Sequence, residues 1–216
     1  MDPDLSRLDA VLDDRGLDGY LVDADSEDST QYYLSGFDAP DPFVTLYDGE
    51  IRLLFHRSLE FGRAVRESRA ATVERSIDYG YADYAEEFGA HEARYRVLAD
   101  FLGEYGVESV AVPPRFPLHV ADGVRDYGIG VTPDREDVVG AIRATKTDEE
   151  IDHVRNAQRA NEAAMAAAEN LIAGAEVRDG TLYHDGDPLT SEAVKTEIEV
   201  TLLRNGCALD ETIVAC

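Results

Sequence analysis

The sequence predicts an α/β layered domain followed by the opening stretch of a second domain. Three observations carry that expectation. Segments with apolar residues at helical spacing alternate with short, strand-like apolar runs. Asp48-Gly49 lies between two such runs, which signals a hairpin and so at least one antiparallel pair in the sheet. Thr147-Asp148-Glu149-Glu150 has the form of a capping box and starts a new, alanine-rich helix.

Taken in order, Leu5, Leu8, Val11 and Leu12 give 4–15 a helical stripe, with Gly16 as its stop. Residues 19–22 read as a strand, and 43–47 and 51–55 as the two arms of the hairpin. Ser58 is expected to cap a helix reaching Ser68, and 72–77 to form a further strand. Tyr84, Phe88, Tyr95, Leu98, Phe101 and Leu102 predict one long helix from Tyr81 to Gly106. A short buried strand, 109–112, is stopped by Pro113-Pro114. Pro117 suits the first turn of a helix with Val120, Val124 and Tyr127 on its apolar side. The strand 129–132 closes this domain at Pro133.

The expected organisation is thus a domain over 1–133, a linker over 134–146 and a second region over 147–216. Its first helix carries Ile151, Val154, Ala157, Met165, Ala168, Leu171 and Ile172 and ends at Gly174. A loop or small hairpin around Asp185-Gly186 precedes a second helix over 191–203, with Val194, Ile198 and Leu202 in register. Thr212-Ile213-Val214-Ala215 then begins a strand. Two helices and one strand do not complete a core, so 147–216 reads as the start of a domain whose remainder is absent.

The 216 residues include 45 acids and 20 bases, a formal charge of −25. A surface this negative repels phosphate backbones and argues against a nucleic-acid partner. No run of 18 apolar residues spans a membrane, and the acidic N-terminus lacks the apolar core of a signal peptide. Cys207 and Cys216 make no disulfide framework, and a reducing cytoplasm fits. The acids are spread evenly, 27 against 12 bases in 1–133 and 18 against 8 in 134–216, and only two of the bases are lysines. Even spread favours adaptation to concentrated salt over a local acidic docking surface, because molar salt shrinks the screening length to about 3 Å.

A search for chemistry finds little. The five histidines make no HExxH or cysteine-histidine spacing, and neither a phosphate loop nor a G-x-S-x-G elbow occurs. His184-Asp185-Gly186-Asp187 could bind a cation, but Asp-Gly beside a proline reads first as a turn. Asp148, Glu149, Glu150 and Asp152 sit where a helix start favours acids anyway. His153 reads as solvent-facing, and the cysteines as small buried residues.

Three stretches carry a resemblance. Tyr33-Leu34-Ser35-Gly36-Phe37 resembles an element of the creatinase/prolidase N-terminal domain. Arg143-Ala144-Thr145-Lys146 with Glu150-Ile151 resembles the point where that family's catalytic domain begins, and Thr212–Cys216 is similar to the strand before its first catalytic histidine. Thr30 departs from the asparagine often found three residues before the tyrosine. The order agrees with Xaa-Pro peptidases (aminopeptidase P and prolidase), here with the composition of a salt-adapted, haloarchaeal-like source.

The resemblance implies a creatinase-type α-β-α N-terminal domain with a mixed sheet, then the first helices of an incomplete pita-bread catalytic domain. It implies two divalent ions (Mn, Co or Zn) in the full-length protein, bound by ligands that all lie beyond Cys216. This stretch is therefore expected to carry no catalytic or metal residue and to be inactive alone. The N-terminal domain would gate access for proline-containing peptides and support a homodimer, with Tyr33, Phe37 and Asp38 facing the cleft. The competing expectation is a non-catalytic binding or dimerisation module on the same fold.

Overall fold

Alternate residues of the central strands face opposite layers, and this two-residue period builds the first unit. In β1 (Gly19–Ala24), Tyr20 and Val22 pack on one side while Leu21 packs on the other. In β2 (Phe43–Tyr47), Val44 and Leu46 join Leu21's side, and Phe43 and Tyr47 turn away from it. Every residue of β2 is buried, as expected of a strand covered on both faces. β3 (Ile51–Phe55), β4 (Thr72–Arg75), β5 (Ser109–Val112) and β6 (Gly130–Pro133) complete a mixed sheet of order β4-β3-β2-β1-β5-β6. Only β2 is antiparallel to its neighbours, so the other five strands run the same way.

One layer holds α1 (Ser6–Arg15), α2 (Ser29–Ser35), α3 (Phe61–Glu67) and α7 (Val138–Ala144). The opposite layer is led by α5 (Ala90–Glu104) and α6 (Leu118–Arg125), with Val97, Leu98, Phe101 and Leu102 of α5 fully buried. This is the α-β-α architecture that the resemblance implied. A computed structural model describes residues 3–214 and divides them into two units between Thr145 and Lys146.

Several elements differ from expectation, each for a local reason. The long helix over 81–106 is two helices, α4 (Tyr81–Phe88) and α5, parted by Gly89 at φ 85° and ψ 160°. That backbone region is essentially open to glycine alone. Ser58 caps nothing, since α3 begins at Phe61 with Glu60 at its N-cap. β4 ends at Arg75, and Ser76–Tyr79 forms a 3-10 turn. Within the expected linker 134–146, α7 packs on the first unit through Val138 and Val139.

In the second unit, α8 (Asp148–Ala173) and α9 (Ser191–Arg204) flank a small antiparallel sheet. That sheet comprises β7 (Glu176–Arg178), β8 (Thr181–His184) and β9 (Asp187–Pro188). The capping box is present: the Glu150 amide donates to Thr147 Oγ1 at 3.2 Å, and the Thr147 amide donates to Glu150 Oε2 at 2.8 Å. Ala160, Ala164 and Ala168 form the buried stripe of α8. No strand forms over Thr212–Val214, and Ala215 and Cys216 lie outside the described residues. Among the described residues, no helix is long and apolar enough to cross a membrane.

Candidate functional site

The segment that the resemblance singles out is built by a short helix and its two caps. Asp28 Oδ1 accepts from the amides of Thr30 and Gln31 at 2.9 and 3.0 Å, which starts α2. Gly36 ends it in the left-handed region at φ 62°. A Cβ there would meet Arg69 Cγ at 2.8 Å, so only glycine fits. Gln31 is fully buried and donates through Nε2 to the Phe43 carbonyl at 2.8 Å, tying α2 to the start of β2. The Ser35 hydroxyl donates back to the Gln31 carbonyl at 2.8 Å and accepts the Phe37 amide at 3.1 Å.

The three residues expected at a cleft occupy different environments. Phe37 is 1% exposed and sits edge-on to Phe43 and Phe55 at 6.0 and 5.9 Å, inside an aromatic cluster. Asp38 is exposed, and Oδ1 accepts the Ser26 hydroxyl at 2.6 Å. Arg63 stacks over the Phe37 ring at 4.8 Å and donates to the Asp38 carbonyl at 2.8 Å. Tyr33 is half-buried, with the Arg143 guanidinium 5.9 Å from its ring and Arg69 donating to its carbonyl at 2.7 Å. The arrangement therefore presents one tethered carboxylate, Asp38, on a loop with an aromatic base. Ser26 and Arg63, which fix that loop, come from distant positions and leave no local signal in the sequence.

The other sequence candidates are structural. His184 and Asp187 face each other across a tight turn in which Asp185 and Gly186 take φ of 53° and 95°. Asp148, Glu149 and Glu150 occupy the first turn of α8. His153 is 4.0 Å from Glu149, with a side chain 75% exposed. Cys207 is a half-buried free thiol, and Cys216 lies outside the described residues. Among the described residues, no three His, Cys, Asp or Glu side chains come together to hold a metal ion. They do not fit a dinuclear metal group.

Comparison with known proteins places this architecture. The family described as Creatinase/Prolidase N-terminal domain matches residues 5–128. The fold is similar to prolidase from Pyrococcus horikoshii OT3, with TM-score 0.64 and 18% identity over 93% of this chain and 48% of that one. Prolidase from Pyrococcus furiosus gives TM-score 0.63 and 19% identity over 93% and 52%. X-Pro aminopeptidase from Thermotoga maritima MSB8 gives 0.61 and 18% over 93% and 49%. The chain thus spans about half the length of these structures. No curated protein sequence matches it. With more than half of its residues covered by the family match, the chain belongs to the creatinase/prolidase N-terminal domain family.

Proposed function

We propose that this chain is the N-terminal part of an Xaa-Pro peptidase, a hydrolase of the bond preceding proline. The observation that carries the reading is the reach of the fold likeness. It covers 93% of the chain, well past residue 128 where the family match ends, and so takes in the second unit. This supports treating 146–214 as the opening of the peptidase's catalytic part.

On this reading the two divalent ions, Mn, Co or Zn, are held by residues following this chain. The first unit restricts access for proline-containing peptides and contributes to a homodimer in the cytoplasm. Asp38 is the polar contact at the entrance, and Tyr33 and Phe37 shape the loop that carries it. The Ser26 and Arg63 tethers support that role by holding the loop in one conformation before substrate arrives.

The test is hydrolysis of an Xaa-Pro dipeptide and of a longer peptide beginning Xaa-Pro. Both are assayed with the parent polypeptide and with residues 1–216 alone. The parent is expected to cleave in the presence of Mn, Co or Zn and to stop on chelation, while residues 1–216 stay inactive. The two substrates separate a dipeptidase from an aminopeptidase. A parent that cleaves neither peptide with any of the three metals would replace this reading by the binding-module alternative. Light scattering of the parent reports the dimer.

A further inference from the structure

The carboxyl end of β3 and the residues that lead into β2 border a cavity of about 450 Å³ that the peptidase reading does not use. Its place follows from the topology. The chain leaves β3 through α3 in one layer and leaves β4 through α4 and α5 toward the other, so adjacent strands diverge at their carboxyl ends. Open α/β sheets hold ligands in such crevices. Pro42, Phe55, Leu59 and Tyr81 supply apolar wall. His56, Arg57, His91 and Arg94 also line it, against two acids, Asp41 and Glu60. Its arginines and acids are thus equal in number, whereas over the whole chain acids outnumber lysine and arginine 45 to 20.

Beneath this lining lies a costly polar cluster. Arg94 Nη2 donates to Asp23 Oδ2 at 2.5 Å, and the Asp23 side chain is 1% exposed. His56 Nδ1 lies 3.1 Å from Ser76 Oγ. Asp23 Oδ1, Arg94 Nε and His56 Nε2 are all buried without a hydrogen-bond partner, three of the six such atoms among the described residues. An apolar replacement of a buried ion pair is commonly neutral or stabilising. Stability alone therefore does not account for the cluster, whereas a site that uses a fixed cation would. Asp23 holds the Arg94 guanidinium in place while 28% of the Arg94 side chain stays exposed.

We propose that this cavity binds a small organic carboxylate with an apolar body, its carboxylate taken by Arg94 at the floor and its body packed on Phe55, Leu59 and Tyr81. Asp23 is a positioning residue. The site lies wholly within residues 23–94 and does not rest on the peptidase reading.

The test is calorimetric titration of residues 1–216 with benzoate, with benzamide as the uncharged counterpart and hippurate as a mimic of a peptide carboxyl terminus. Benzoate or hippurate is expected to bind saturably, and benzamide roughly tenfold or more weakly, since a charge-assisted hydrogen bond is lost. Tighter hippurate assigns the ligand to peptide termini, and tighter benzoate to free acids. Leu59 is 83% exposed, so Leu59→Asp leaves the fold intact, checked by circular dichroism, and places a repelling charge beside the ligand. It should weaken benzoate about tenfold, and the charge-neutral pair Asp23→Asn with Arg94→Gln should abolish binding. Benzamide binding as tightly as benzoate overturns the proposal. So does Leu59→Asp binding benzoate like the parent, or the absence of saturable binding by either acid. If the double variant does not fold, the benzamide and Leu59→Asp arms decide.

Discussion

Gly123 of α6 lies directly against the ring of Tyr95 of α5, where an added Cβ would stand 2.4 Å from Tyr95 Cγ. Both helices belong to the layer that buries Leu21, Val44 and Leu46, so their close approach sets how tightly that layer seats on the sheet. Gly123→Ala is expected to destabilise the first unit. Overpacking costs about 1–3 kcal/mol, and the better helix propensity of alanine offsets only about 1 kcal/mol. Urea unfolding should show this loss in the parent background and little or none beside Tyr95→Ala. Strictly additive effects of the two substitutions would show that the ring is not what excludes the side chain.

Asp134 is fully buried at the end of β6 and organises the start of α7. It accepts the Val138 amide at 2.8 Å and the Glu136 amide at 3.2 Å, with the Tyr20 hydroxyl at 3.5 Å and Arg15 Nη1 at 3.6 Å. Removing the carboxylate leaves the buried Tyr20 hydroxyl and the Val138 amide without a partner. Asp134→Ala is therefore expected to cost about 3 kcal/mol. Tyr20→Phe, which removes only one long hydrogen bond, should cost under about 1 kcal/mol. Chemical denaturation of the two variants tests the ranking, and an Asp134→Ala protein as stable as the parent would contradict it.

These two sites show where the sequence could be read and where it could not. The apolar runs of the central strands, the Asp48-Gly49 turn and the Thr147–Glu150 box are written within a few residues, and all three are found. α2 and α7 were not anticipated. Each is seven residues long and rests on an aspartate N-cap, Asp28 or Asp137, too short a stretch for helical periodicity to register. The break at Gly89 is invisible to an apolar stripe that continues on both sides of it. The tethering of Asp38 by Ser26 and Arg63 depends on chain crossings 12 and 25 residues apart. The Asp23–Arg94 pair spans 71 residues, and no local pattern announces such a partner.

His56 gives the first unit a pH dependence with a definite sign. Burial, and then the charge of Arg94, push its imidazole down to about 4 from an ordinary 6.5, with Asp23 opposing. The folded protein keeps the ring neutral between those values while the unfolded chain binds a proton. Stability is therefore fully present above about pH 6.5 and falls as pH drops toward 4, by about 2 kcal/mol between pH 7 and 5. Urea midpoints at the two pH values should separate less in His56→Gln than in the parent. Equal separation in both would mean that another group carries the slope.

The charge of −25 bears unequally on the two units. In the first, three clusters of buried side chains oppose self-repulsion. Among the described residues of the second, the buried hydrophobics are Ala160, Ala164, Ala168 and Val194, three of them alanines. The ion pairs on α8 and α9, such as Arg155–Asp152 and Lys195–Glu199, are exposed or half-exposed neighbours on one helix and contribute little each. Lowering salt from about 1 M to about 0.1 M lengthens screening from about 3 to about 10 Å, enough to join each acid to its neighbours' field. The second unit should then open first. Hydrogen exchange followed by mass spectrometry is expected to show α8 and α9 losing protection on dialysis while β1, β2 and α5 keep theirs. Protection unchanged in both units at low salt would count against salt adaptation, and loss beginning in the first unit would show that burial does not decide which part yields.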